Sequence, residues 1–296
     1  MIYLSLLEVV KEIQAKMGSR DTRRIMGPEK SIPYSLLQTQ EKSSFLGEDS
    51  SRRDARSAVD PRKYFMSLGV ISQAKGSSYL EVGNTKVCCG VYGPMDVQRG
   101  SDFNMSCKVL CEVKMAPFSC PVRRSPQPDK QQKEMSRQLK DALETVIILD
   151  KFPKSQIDVY VTVIEDDGGL LAACITAAGL ALCHANIDVY DLVIGATVLW
   201  HNGILYADPT HYEEEYEGRE IRSSGSEGGQ LTVGMMPKYA NGQVTLLVQG
   251  GQVSADNLCE GLEVVVEICQ RIYNLSRKTL VEYVEQSLEE NEDNAS

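Results

Sequence analysis

The stretch QIDVYVTVIEDDGGLLAACITAAG, residues 156–179, decides the fold. Its first part alternates, with Ile157, Val159, Val161 and Val163 on one face, as a half-buried strand does. From about Leu171 to Ala185 the residues are small and apolar nearly all round, which predicts a helix buried between layers. Gly168 and Gly169 join the two through a tight turn. Such a turn can cradle a phosphate, because backbone N–H groups point outward there and the helix dipole favours an anion. Here Glu165, Asp166 and Asp167 precede the turn, and Leu170 and Leu171 follow it where a donor side chain would be wanted. A strand-to-helix connection needs a tight turn even when nothing binds. On spacing alone the turn is expected to be structural, with a phosphate cradle as the alternative.

Working outward, CKVLCEVKM alternates, with Cys107, Val109, Cys111, Val113 and Met115 on one side and Lys108, Glu112 and Lys114 on the other. A proline-punctuated basic loop then leads into EMSRQLKDALETVIIL, where Met135, Leu139, Ala142, Leu143 and Val146 recur at helical spacing. Residues 95–106 read as a polar loop. Gly83-Asn84, Asn202-Gly203 and Asn241-Gly242 each stand between strand-like runs and predict three hairpins. Hairpins interleaved with helices predict an α+β domain with mixed, largely antiparallel sheets packed against helices. A last long helix is expected from an N-cap at Ser254, with Leu258, Leu262, Val265, Cys269 and Ile272 on one face.

The main domain is expected over residues 57–280. Before it, residues 1–56 read as an arm, aperiodic from residue 18 onward and rich in Ser, Arg, Glu, Asp and Gln. Residues 1–16 have the look of a short amphipathic helix ahead of a second plausible start at Met17, without the basic start and cleavage site of a signal peptide. Residues 281–296 read as an acidic tail. No apolar run approaches the length of a membrane span, so no membrane contact is expected.

With a net charge of −10 over 296 residues, the surface as a whole does not suit nucleic acid, and any such contact needs a local basic patch. Arg123, Arg124, Lys130, Lys133, Arg137 and Lys140, against Asp129 and Glu134, form one candidate. A solvated loop and helix face is the plainer reading. The nine cysteines lack paired CxxC spacing and read as buried reduced thiols, and only three histidines are present. In ADPTHYEEEYEGRE, Asp208, Glu213, Glu214, Glu215 and Glu217 follow a strand. Together with Asp166 and Asp167 they have the chemistry to hold Mg²⁺ for a nuclease, although a solvated acidic loop is the expected form.

SQAKGSSYLEVGNTKV, then EMSRQLKDALE, KFPKSQIDVYVTVIEDDGG, YDLVIGA and ADPTHYEEE, in this order and spacing, resemble the RNase PH family across residues 57–275 or so. RRIMGPE, residues 23–29, lies outside the shared catalytic fold and narrows the likeness to ring subunits of the eukaryotic RNA exosome.

The resemblance implies an RNase PH-like fold with a ribosomal-protein-like βαβ core. Active members cleave RNA from its 3′ end with inorganic phosphate, which they hold with Thr or Ser and then Arg after the Gly-Gly turn. Leu170 and Leu171 occupy those positions here, and an apolar pair cannot bind a dianion. A further family carboxylate falls at Gln230, after an insertion of about residues 218–229 in which Glu227 also lies. Glutamine is no general acid or base at neutral pH. Asp208, Glu213 and Glu214 match the remaining acids.

A non-catalytic subunit is therefore implied, with no cofactor and no metal. Its implied partners are RNase PH-like subunits in a six-membered ring, among them ribosomal RNA-processing protein forty-two, cap subunits with OB-fold and KH modules, and single-stranded RNA. RNA contact would fall to Arg123, Arg124, Lys130, Lys133 and Arg137. The implied compartments are nucleus, nucleolus and cytoplasm. A phosphorolytic or metal-dependent 3′ exoribonuclease is the alternative.

Overall fold

The computed structural model describes residues 52–96, 106–224 and 228–295. The expectations for residues 1–51, including RRIMGPE, for most of the 95–106 loop and for Glu227 fall outside the described residues.

One sheet holds β1 (Tyr64–Leu68), β2 (Gly76–Val82), β3 (Thr85–Asp96), β4 (Lys108–Met115) and β5 (Ser155–Glu165), in the order β1-β2-β3-β5-β4. Only the β4–β5 pair is parallel. That pairing needs a crossover, and α1 (Lys130–Glu144) supplies it, burying Met135, Leu139, Ala142 and Leu143. The second sheet, β7-β6-β8-β9, is antiparallel throughout and comprises β6 (Ile194–His201), β7 (Ile204–Ala207), β8 (Gly228–Met236) and β9 (Gln243–Gln252).

Helix α2 (Leu170–His184) lies between the two sheets, as its uniformly apolar surface predicts. Its alanines and Gly179 let the strands approach its backbone. A Cβ at Gly76 of β2 would stand 2.4 Å from the Ala181 carbonyl oxygen, and one at Gly195 of β6 would stand 2.6 Å from the Ala172 Cα. The alternations read from sequence hold: Ile157, Val159, Val161 and Val163 are buried, as are Val109, Val113 and Met115, while Lys108, Glu112 and Lys114 are exposed.

Two of the three Asn/Gly turns are tight. At β2–β3 the pair Val82↔Thr85 is closed by Gly83, with φ +59°, and Asn84. At β6–β7, Asn202 and Gly203 both take positive φ, as a type I′ turn requires. The third differs. Met236 pairs with Gln243, so residues 237–242 form a longer loop with a 3₁₀ turn at Tyr239–Asn241, and Gly242 only ends it.

The last helix, α4 (Ala255–Ala295), starts at Ser254, whose hydroxyl accepts from the Asn257 amide at 3.4 Å. Val265, Cys269 and Ile272 are buried, and Leu258 and Leu262 pack against the core half-exposed. The helix continues through residue 280, so the stretch expected as an acidic tail is helical up to Ala295. All nine cysteines are free thiols, but Cys259 is exposed on the outer side of α4, contrary to the expectation of burial.

Two tyrosines of α4 bond to the domain through their hydroxyls. The Tyr273 hydroxyl bonds Asp191 at 3.2 Å, and the Tyr283 hydroxyl stands 2.9 Å from His184 Nε2. Because His184 Nδ1 accepts the Ser77 amide at 2.9 Å, its proton lies on Nε2 and is donated to Tyr283. Burial lowers the His184 pKa below 6.5. The unfolded chain then binds the extra proton more readily, so this contribution is complete above pH 6.5 and is lost as pH falls through the folded value. Thermal melts across mildly acidic pH should show the wild type losing Tm more steeply than His184→Gln. Parallel curves would remove His184 as the cause.

Candidate functional site

β5 delivers Glu165, Asp166 and Asp167 to the turn, and Gly168 and Gly169 then take φ of +87° and +61°. Glycine is required here by contact as well as by φ. A Cβ at Gly168 would stand 2.5 Å from the Pro209 carbonyl oxygen and 2.6 Å from the His211 nitrogen. Gly169 is the N-cap of α2 and brings no side chain of its own. Its amide is instead met by Glu214, whose Oε1 accepts from Gly169 N at 3.0 Å and from Gln230 Nε2 at 2.7 Å. The chain's own carboxyl therefore occupies the N–H end of the helix.

Burial is the main influence on Glu214 and raises its pKa to about 7, with the Gly169 and Gln230 hydrogen bonds acting in the opposite sense. Leu170 is buried in the core, and Leu171 packs against it. Neither offers a donor to an anion.

The remaining acids are not a solvated loop. They stand on or just before α3 (His211–Ser224), where helical spacing turns Glu213 and Glu217 inward together. Asp208, Glu213 and Glu217 are buried, whereas Glu215 is exposed. Asp208 is gripped by Arg62, with Oδ1 2.6 Å from NH2 and Oδ2 2.9 Å from both Nε and the Arg62 amide. The same guanidinium donates to the carbonyls of Asp167 at 2.6 Å and Gly168 at 3.0 Å, locking the glycine turn. Arg52 holds Glu213 with two bonds of 2.9 and 2.6 Å. Glu217 bonds His201 Nδ1 at 2.5 Å. Among the described residues, no three His, Cys, Asp or Glu side chains are grouped to hold a metal ion.

Arg52 and Arg62 are the residues that sequence reasoning missed. Arg52 lies in the segment read as an arm, and nothing local to either arginine signals a carboxylate partner more than a hundred positions away.

The basic set divides. Arg123, Lys130, Lys133 and Arg137 are exposed, and Arg124 is half-buried. Arg137 is engaged by Glu134 at 2.6 Å and Asp141 at 3.1 Å, and Arg124 donates to Gln131 at 2.9 Å and to Cys120 Sγ at 3.2 Å. Arg123, Lys130 and Lys133 make no ion pair among the described residues. The loop that bears Arg123 and Arg124 borders an open groove of about 730 Å³ lined by Asn84, Phe118, Cys120, Glu165, Asp167 and Glu215.

Two measurements probe the site. Arg62→Met would leave Asp208 as an uncompensated buried charge, a change that costs roughly 3–5 kcal/mol. Urea unfolding should show that loss, while Arg137→Met on the surface should leave the midpoint unchanged. For Glu214 the folded pKa is raised, so its contribution is complete below 4.5 and is lost as pH rises through about 7. Glu214→Gln should therefore gain Tm relative to wild type as pH rises through neutrality. A constant difference would show that Glu214 does not titrate there.

A family model described as "3' exoribonuclease family, domain 1" matches residues 60–188. The mouse protein named exosome complex component MTR3 is 35% identical over 277 residues, covering 88% of this chain and 94% of that protein. Exosome complex component Rrp41 of Thermoplasma acidophilum is 32% identical over 242 residues, covering 81% of this chain and 92% of that protein. Among solved structures, rice Rrp46 superposes with a TM-score of 0.66 at 22% identity, covering 77% of this chain and all of that one, which is a likeness of fold.

Proposed function

The chain belongs to the RNase PH family of 3′ exoribonucleases, and from that premise we propose that it is a non-catalytic structural subunit of an RNA exosome core ring. In that role it supports 3′-to-5′ RNA processing and degradation carried out by separate nucleases. One observation carries this reading: the Glu214 carboxyl lies on the Gly169 amide where a phosphate nucleophile would need to sit, with Leu170 and Leu171 supplying no cation. An anionic phosphate meets an acid there instead of an arginine, and Gln230 holds that acid in place rather than adding a second. The residual acids Asp208 and Glu213 are bound to arginines. Neither is left open to a metal or to a reacting oxygen.

Similarity to the mouse protein named MTR3 over most of both chains supports a place like that of mRNA transport regulator three. The partners are then other RNase PH-like subunits in a six-membered ring. Ribosomal RNA-processing protein forty-two is the neighbour paired edge to edge, and cap subunits with OB-fold and KH modules sit above. Residues 57–280 form the ring-building domain. The end of α4 reaches towards neighbours. RNA passing through the assembly meets Arg123, Lys130 and Lys133 first, with Arg124 and Arg137 already engaged within the chain. The assembly works in nucleus, nucleolus and cytoplasm.

Labelled RNA incubated with the purified chain, with and without phosphate and Mg²⁺, should remain intact. Release of nucleoside diphosphates in phosphate would overturn the reading in favour of phosphorolysis. Release of monophosphates with Mg²⁺ would overturn it in favour of metal-dependent hydrolysis. Mass measurement of the co-purified assembly should give a hetero-oligomeric ring rather than a lone monomer.

A further inference from the structure

Phe118 is the most exposed large apolar side chain among the described residues, with 69% of its surface open to water. It stands in a tightly closed loop. The Ser119 amide donates to the Ala116 carbonyl and the Arg124 amide to the Pro117 carbonyl, both at 2.9 Å. The second bond brings the Arg123-Arg124 pair back beside the foot of Phe118. One side of the loop thus carries Arg123, without an ion pair among the described residues, with Lys130 and Lys133 following at the start of α1. On the other side Phe118 lines the groove with Asn84, Glu165 and Asp167.

Asp167 would repel a phosphate, while Glu165 is paired with Lys86 Nζ at 2.8 Å, and an apolar side chain would leave both carboxylates facing a partner that cannot hydrogen-bond. A nucleobase suits both walls. Its π face stacks on a phenyl ring whatever its sequence. Its exocyclic amino group is a donor that carboxylates accept. Asn84, also lining the groove, gives one amide hydrogen to Asp167 Oδ2 at 3.0 Å and keeps its carbonyl oxygen as an acceptor.

We propose that Phe118 is a stacking platform for one base of single-stranded RNA. The adjoining phosphates lie on Arg123, Lys130 and Lys133, and the base edge points at Glu165, Asp167 and Asn84. This rests on the RNA-path reading of the basic residues and adds a base-contacting site to it. Because the groove wall is rich in acceptors, the site favours adenine and cytosine, which carry an amino group, over uracil, which does not.

The test uses the assembled complex, labelled oligoadenylate and oligouridylate, and fluorescence anisotropy over a salt series. Phe118→Ala should weaken oligoadenylate binding about tenfold without altering its salt dependence, and Phe118→Trp should retain it. Arg123→Ala should reduce the salt slope by about one and leave the preference for adenine intact. If Arg123→Ala acts as expected and Phe118→Ala does nothing, the platform is wrong while the RNA path stands. If neither changes binding, the RNA path itself fails. Equal losses on both oligonucleotides in Phe118→Ala would overturn the amino-group preference. Dissociation of the Phe118→Ala complex would make Phe118 a subunit contact instead.

Discussion

The closeness of two sheets to the backbone of α2 is the constraint on which the other features depend. A Cβ at Gly76 would stand 2.4 Å from the helix backbone and one at Gly195 2.6 Å, so neither position has room for a side chain. These close approaches also explain why small residues such as Ala172, Gly179 and Ala181 stand where the strands come closest to the helix. With the helix axis fixed, its N-terminus has only one place to emerge, at the end of β5 and against the Pro209–His211 segment. The Gly-Gly turn is thus set by packing before any chemistry is considered.

That placement creates an electrostatic demand which the chain answers from within. Arg62 inserts between the turn carbonyls and Asp208, so one guanidinium serves the outward-facing oxygens of the turn and a buried acid at once. Arg52 does the same for Glu213 while donating to the Ala207 carbonyl at 2.9 Å. A cluster that would carry a strong negative potential is thereby neutralised from inside. Arg123, Lys130 and Lys133, which make no ion pair among the described residues, lie on a different element, the loop and first turn of α1. Net charge alone hides this division, because −10 for the whole chain says nothing of which acids are already paired.

The parts legible in the sequence were those governed by short periods. The alternation of β4 and β5, the all-round apolar α2 and the two-residue turns at Gly83-Asn84 and Asn202-Gly203 depend on neighbours a few positions apart. Asn241-Gly242 misled because the same dipeptide also ends a longer loop, and only the Met236↔Gln243 register distinguishes the cases. The acidic run misled for a different reason. Glu213 and Glu217 share a helix face, but their burial follows from Arg52 and His201, which the folded chain brings to them. Leu170, Leu171 and Gln230 could be singled out one at a time. That Gln230 donates to Glu214 at the mouth of the turn emerges only from β8 running beside α3.

A Gly-Gly turn at a helix start presents backbone amides whether or not a nucleophile binds there. The first amides of a helix need acceptors, and Gly169 has no side chain to supply one. In a catalytic relative a bound anion would meet that need for part of each cycle. Leu170 and Leu171 follow the turn here and offer no donor to an anion, and an unmet amide in a half-buried turn would cost stability. Glu214 fills the gap, and Gln230 steadies it by donating to the same oxygen without adding a second negative charge. Helix capping by itself accounts for a glutamate at this position. The carboxyl is held by the very amide that, in an enzyme, would have to be free.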